Sequence, residues 1–186
     1  MKIVLIGIQG AGKSTQGNIL SEKLGIPYLS SGHIFRTMAK EKTPLARFIK
    51  ETINAGALIP DDKTLEIVQE YLSRPEYQGG YILDGFPRTV AQAEAFSNGV
   101  DAVVYLKVSD KEALWRLAGR IMSAAEIRED ETLPAIRKRI DSFHEHTEPV
   151  IEHYRTKGTL EEIDGEQGIE EITSEILQRL EARGKI

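Results

Sequence analysis

The stretch KIVLIGIQGAGKSTQG, residues 2–17, decides the fold. Lys2 to Ile6 is an apolar run of strand length, and it empties directly into Gly7-Ile8-Gln9-Gly10-Ala11-Gly12-Lys13-Ser14. Against the pattern G-x-x-x-x-G-K-[ST], the matching residues are Gly7, Gly12, Lys13 and Ser14, and the loop falls between a strand and a helix, where its chemistry requires it. Glycines at 7, 10 and 12 let successive backbone N–H groups turn inward around a phosphate, and the next helix adds its positive N-terminal end. Lys13 supplies a charge for the β and γ phosphates, and the Ser14 hydroxyl can reach Mg²⁺. An ordinary Gly-rich turn built only for close packing is the weaker reading once strand, glycines, Lys and Ser are all in place. Nucleotide binding is the expectation that follows.

Working outward, 186 residues with 40% hydrophobic content suit one α/β unit with small inserts. The first apolar run stops at Gly7 and has no basic segment before it, so it reads as a strand, and the chain as cytoplasmic. The absence of Cys leaves no disulfide framework and no thiolate metal site. Any metal is then a hard ion held by oxygens, with Mg²⁺ the fit and no zinc. A net charge of −5 speaks against a nucleic-acid partner, and no apolar run is long enough for a membrane span.

Short β-branched runs alternate with helical periodicity, the mark of a parallel sheet with crossover helices. The pattern predicts strands at 2–6, 27–30, 80–84, 102–108 and 159–163. It predicts helices at 13–24, 61–73, 89–97, 110–122 and 132–157, the last kinked at Pro149 with Pro134 in its first turn. A terminal stripe of Ile169, Ile172, Ile176, Leu177 and Leu180 reads as core packing. Residues 31–60 and 121–131 interrupt the rhythm as inserts on the ligand side of the sheet.

A second motif is Tyr81-Ile-Leu-Asp-Gly-Phe-Pro-Arg88. A buried strand ending at Asp84 sets a carboxylate beside the phosphate loop, a second Mg²⁺-directed group with Ser14. A turn or cap Asp, common before Gly, is the weaker reading. Four residues on, Arg88 suits a bidentate grip on an anion.

GIQGAGKSTQ at 7–16, YLSSGHIFR at 28–36, GALIP at 56–60, DGFPRTVAQ at 84–92, RLAGR at 116–120, IREDETLPAIRKR at 127–139 and IDGEQ at 163–167 together resemble adenylate kinases and related nucleoside monophosphate kinases. The likeness spans nearly the whole chain in order, and DGFPRT with the phosphate loop is its specific part. It implies a three-layer αβα P-loop NTPase fold with a five-stranded parallel sheet and two small mobile inserts. The core would be 1–30, 61–120 and 132–186, with a monophosphate-binding domain at 31–60 and a short lid at 121–131. It implies direct in-line transfer from Mg·ATP to AMP, giving ADP, in a monomer. Gly10, Ala11, Gly12, Lys13, Ser14 and Thr15 would wrap the ATP phosphates, Arg116 and Arg120 would contact base and phosphates, and Gln167 would offer its backbone to adenine. Ser31, Arg36, Ala57, Leu58, Ile59, Gly85, Phe86, Pro87, Arg88 and Gln92 would surround AMP. Arg128 and Arg139 would close over the transferring group. A phosphoryl-transfer transition state needs converging cations and no covalent nucleophile, which makes Lys13, Arg36, Arg88, Arg120, Arg128 and Arg139 the expected set.

Two positions depart from the resemblance. His33 stands where the family usually has Asp, removing a carboxylate near the metal's water shell, and Ser14 replaces the Gly usual after the loop Lys. His144, His146 and His153 lack metal-site spacing and read as surface or packing residues. Ser31, Thr89 and Gln92 favour AMP over the alternative of a UMP/CMP kinase. A small-metabolite kinase is disfavoured by the 31–60 insert and DGFPRT. A nucleotide-sensing module would not need the full arginine set.

Overall fold

A computed structural model of the chain describes residues 1–96, 99–123 and 129–184. Five strands, β1 (Lys2–Ile6), β2 (Tyr28–Ser30), β3 (Tyr81–Asp84), β4 (Ala102–Lys107) and β5 (Leu160–Asp164), form one sheet in the order β2-β3-β1-β4-β5. Every neighbouring pair is parallel. Helices on both faces bury the strands twice over, so Ile3, Val4, Ile82, Leu83, Val103 and Val104 form unbroken apolar runs with no exposure at all. The predicted strands agree to within a residue at either end.

The crossovers are α1 (Lys13–Leu24), α2 (Ser31–Met38), α3 (Pro44–Asn54), α4 (Asp61–Leu72), α5 (Val90–Ala95), α6 (Asp110–Ser123), α7 (Leu133–Ser142) and α8 (Glu148–Thr156), and α9 (Ile169–Ala182) follows the last strand. Threonine hydroxyls cap three of them: Thr43 accepts from the Ala46 N–H at 3.0 Å, Thr89 from Gln92 at 3.1 Å and Thr132 from Ala135 at 3.3 Å. No side chain caps α1, whose first residue follows Gly12 in the left-handed region at φ 89°. Its first N–H groups are thereby left to face an anion.

β1 sits between β3 and β4: the connection from β1 runs toward β2 on one side, and the connection from β3 crosses β1 to β4 on the other. Such a switch point opens a crevice beyond the carboxyl ends of the strands. Register brings Leu5 and Ser30 level with Asp84 there. Gln16, 1% exposed, ties α1 to α9 behind it: its Nε2 donates to the Ile169 carbonyl at 2.9 Å and its Oε1 accepts from the Thr173 hydroxyl at 2.7 Å.

Two details correct the pattern reading. Instead of one helix kinked at Pro149, residues 143–147 form a π-helical turn between α7 and α8, in which the Glu148 N–H bonds to the Phe143 carbonyl. Pro149 has no N–H, and its ring crowds the carbonyl four residues back, so the turn before it widens. In the terminal stripe, Ile172, Ile176 and Leu180 are core, but Ile169 is 55% exposed.

Candidate functional site

A cleft of about 620 Å³ opens over the carboxyl edge of the sheet, and strand order sorts its lining. The centre comes from the phosphate loop, Asp84, Arg88, Arg120 and Arg139. Toward the β4–β5 side lie Trp115, Arg116, Gln167, Gly168 and Ile169; toward the β2 side lie Phe35, Ile53, Ala57, Leu58, Ile59 and Gln92. A cationic middle is thus flanked by two lobes with apolar surfaces.

Loop geometry follows from its glycines. Gly10 holds φ 93°, and a Cβ there would stand 2.7 Å from the Ala113 carbonyl, so only glycine lets the loop approach α6 this closely. Lys13 folds back over the loop, its Nζ donating to the carbonyls of Gly7 at 2.7 Å and Ile8 at 3.0 Å. Burial pushes the Lys13 ammonium below its ordinary value; Asp84 opposes this, while Arg88 and Arg120 reinforce it. The ammonium is therefore poised to be stabilised by an arriving anion.

Asp84 Oδ2 accepts from the Tyr28 hydroxyl at 2.7 Å, whereas Oδ1 is buried with no hydrogen-bond partner. Burial first, then Asp84, raises the Tyr28 phenol, so it remains a donor. Next along the chain, Arg88 Nε donates to the Gly85 carbonyl at 2.7 Å, and burial followed by Arg139 pushes its guanidinium downward. Gln92 braces this turn, accepting from the Arg88 N–H at 2.7 Å and donating to Asp61 at 2.7 Å, and the Thr147 hydroxyl donates to the Arg88 carbonyl at 3.0 Å.

Two arginines each pair with a carboxylate through Nη2. Arg120 pairs with Glu131, and Arg139 donates to Asp130 at 2.7 Å and to the Ile53 carbonyl at 2.9 Å. Asp130 and Glu131 are 4% and 7% exposed, so these are partners in a largely desolvated setting. Lys50 meets Glu129 at 2.8 Å, and Gly56 lies so close to Ala135 that a Cβ would fall 2.5 Å from its carbonyl oxygen. Residues 50–56 and 129–139 therefore meet beside the cleft.

Of the residues expected at the site, the loop from Gly10 to Thr15, Arg36, Ala57–Ile59, Asp84, Gly85, Pro87, Arg88 and Gln92 line the cleft, as do Arg116, Arg120, Arg139 and Gln167. Ser31 and Phe86 sit behind it: the Ser31 hydroxyl donates to the Gly85 carbonyl at 2.8 Å, and Phe86, wholly buried, packs edge-on against Phe96. Arg128 lies outside the described residues. The sequence reading missed Tyr28, Gln9, Trp115 and the Asp130–Glu131 pair, although the consecutive carboxylates at 130 and 131, seven and eight positions past the end of α6, were available as a signal.

Among the described residues no group of three or more His, Asp or Glu side chains could hold a metal ion. The orphaned Asp84 oxygen and the Ser14 hydroxyl at the loop instead fit an ion that brings phosphate ligands with it. No helix among the described residues is long and apolar enough to cross a membrane.

A family model described as adenylate kinase matches residues 5–159. The chain is 39% identical over 187 residues to an adenylate kinase of Kocuria rhizophila and 34% identical over 212 residues to one of Acetivibrio thermocellus. Each match covers 97% of this chain and 98% of the relative. With an adenylate kinase of Clostridium botulinum it shares 36% identity over 208 residues, 95% of this chain and 96% of the relative.

Proposed function

The chain belongs to the adenylate kinase family, and we infer that it carries out reversible phosphoryl transfer between ATP and AMP, giving two ADP. The observation that carries this for the chain's own residues is the cleft: one cationic centre at the phosphate loop with an apolar lobe on each side, as two nucleotides meeting through their phosphates require.

In this reading 1–30, 61–120 and 132–186 are the core, 31–60 binds the monophosphate and 121–131 is the lid. The uncapped start of α1 and the Gly10–Thr15 loop receive the donor phosphates. Lys13 exchanges its two carbonyl partners for phosphate oxygens, regaining in the complex the charge stabilisation that burial costs it. Arg88, its turn fixed by Gln92 and Thr147, grips the acceptor phosphate with Arg36, and Arg120 and Arg139 converge on the transferring group; the family resemblance assigns Arg128 the same role. Positioning and electrostatics of this kind suffice, because the transition state spreads charge over peripheral oxygens and asks for no protein nucleophile. Asp84 Oδ1 and Ser14 would hold magnesium, directly or through water; bound with ATP, the ion would neutralise charge between the β and γ phosphates. Zinc has no place in this reading. The contact between residues 50–56 and 129–139 covers one side of the cleft and helps exclude water that would otherwise hydrolyse the phosphoryl group.

The small-molecule cleft and the net charge of −5 support action on ATP and AMP and not on nucleic acid, and in this reading the protein is a cytoplasmic monomer with no membrane partner. The test is ADP formation from Mg·ATP with AMP, UMP, CMP, GMP, shikimate or no acceptor, beside Lys13→Ala. AMP-dependent turnover lost in the variant is expected. Turnover confined to UMP or CMP would move the acceptor assignment, and ATP binding with no acceptor turned over would overturn catalysis.

A further inference from the structure

Asp84 is 6% exposed at the end of β3, and the Tyr28 hydroxyl is the only side-chain group hydrogen-bonded to it among the described residues, at 2.7 Å from Oδ2. Register explains the reach. Tyr28 lies level with Ile82 and Ser30 with Asp84, so Tyr28 and Asp84 leave the same face of the sheet two residues apart. Two residues of parallel strand span about 6.6 Å, close to the length of a tyrosine side chain and beyond that of a serine or threonine. The place of the ring is set by α1, because it packs on the bare backbone of Gly17, where a Cβ would stand 2.6 Å from Cδ2. The phosphate loop opens this same helix, so one side chain ties the Asp84 carboxylate to the loop's own support. Lys13 does not compete for Oδ2, since its Nζ donates to the carbonyls of Gly7 and Ile8.

We propose that Tyr28 is a positioning residue for magnesium: by holding Oδ2 it fixes the rotation of the Asp84 carboxylate and reserves Oδ1 for the hydrated ion that arrives with ATP. The proposal rests on the adenylate kinase reading and adds to it a residue outside the site. Tyr28 does not line the cleft, whereas Asp84 does, so the tyrosine acts through the carboxylate. Oδ1 is buried without a hydrogen-bond partner. Nucleotide phosphates cannot satisfy it, because they bring acceptor oxygens. A cation, or the O–H groups of water bound to one, can. Without the hydroxyl the carboxylate is free to turn and present either oxygen, and part of the ion's binding energy is lost to restoring one orientation.

Calorimetric titration with ATP, with and without Mg²⁺ and in the absence of AMP, measures how much the ion tightens nucleotide binding. In Tyr28→Phe, which keeps the ring and removes the hydroxyl, that gain should fall roughly tenfold, while the affinities for metal-free ATP and for AMP change little. Gly17→Ala, which displaces the ring and leaves the hydroxyl, should lose the same gain through a different lesion. Asp84→Asn should remove the gain by itself, and adding Tyr28→Phe to it should lower the gain no further, because the tyrosine acts through the carboxylate. In turnover, Tyr28→Phe should need more Mg²⁺ to reach half its maximal rate, at unchanged KM for AMP. No Mg²⁺ gain in the wild type, an undiminished gain in Tyr28→Phe, an equal loss of metal-free ATP affinity, or a further drop in the double variant overturns the role. An undiminished gain beside normal AMP-dependent turnover leaves the kinase reading intact; a selective loss of the gain in a protein whose wild type turns over no AMP keeps the role of Tyr28 and removes the kinase reading.

Discussion

Replacing Gly17 with Ala sets two effects of opposite sign against each other. Gly17 lies buried on α1, where Ala would improve helix propensity by about 1 kcal/mol. The added Cβ, however, would stand 2.6 Å from Tyr28 Cδ2, closer still to Cε2, and 3.2 Å from Leu5 Cδ1. Leu5 is held in the central strand, so the ring must yield, at a cost of about 1–3 kcal/mol for overpacking. Moving the ring also breaks the 2.7 Å bond from the Tyr28 hydroxyl to Asp84, whose other oxygen has no partner, adding about 1–3 kcal/mol for a buried carboxylate left wholly unsatisfied. Packing and the lost bond outweigh propensity, and Gly17→Ala should lose roughly 3 kcal/mol. Urea unfolding of wild type, Gly17→Ala, Tyr28→Phe and the double variant measures this. Because Tyr28→Phe has already removed the hydroxyl, the Ala cost should shrink in its background by about 1–3 kcal/mol, well beyond the scatter of independent sites. A Gly17→Ala protein as stable as wild type, or a strictly additive double variant, would refute the chain of contacts from α1 through Tyr28 to Asp84.

His144 faces Glu148 with Nδ1 at 2.7 Å and Asp110 with Nε2 at 3.0 Å, so both ring nitrogens favour the protonated form and its pKa is raised, first by Glu148. The stabilisation is fully present below the ordinary value of about 6.5 and is lost as pH rises through the higher folded value; the Tm gap between wild type and His144→Gln should therefore be widest near pH 6 and close toward pH 9, and a constant gap would exclude the bridge. Thr132→Ala removes the cap of α7 and should cost about 1 kcal/mol in denaturant melts, with loss below about 0.3 kcal/mol counting against the cap. Glu131→Gln frees Arg120 from its carboxylate, so kcat should fall while phosphate affinity at low salt rises; unchanged kinetics would mean that the pair does not govern the arginine.

The fold was legible wherever a local rule and the global packing agreed. The strand from Lys2 to Ile6, the glycine loop and the Asp84 strand end each announce themselves within a few residues, and their order implies the crevice. The π turn was hidden, because Ile136, Ile140, Phe143, Thr147, Val150 and Tyr154 keep helical spacing straight through it; only the hydrogen-bond pattern around Pro149 reveals the wider turn. Motif arginines were named from sequence, but their counterparts Asp130 and Glu131 were not. Acidic residues in a polar insert look like solvated charge until the fold brings them against Arg139 and Arg120. Trp115 escaped for a related reason: periodicity marks which residues leave the core, and is silent about what meets them outside it.

The carboxylates at 130 and 131 also change how the cleft meets dissolved ions. Arg120 and Arg139 carry their own counterions within the chain, so substrate phosphates enter by exchanging partners and not by filling a bare positive field. Few small anions then have to be released to solution at these two positions. The ionic-strength dependence of nucleotide affinity should be shallower than the number of converging cations suggests, and a passing sulfate or chloride, with less charge to offer than a polyphosphate, gains little by displacing a carboxylate already in place.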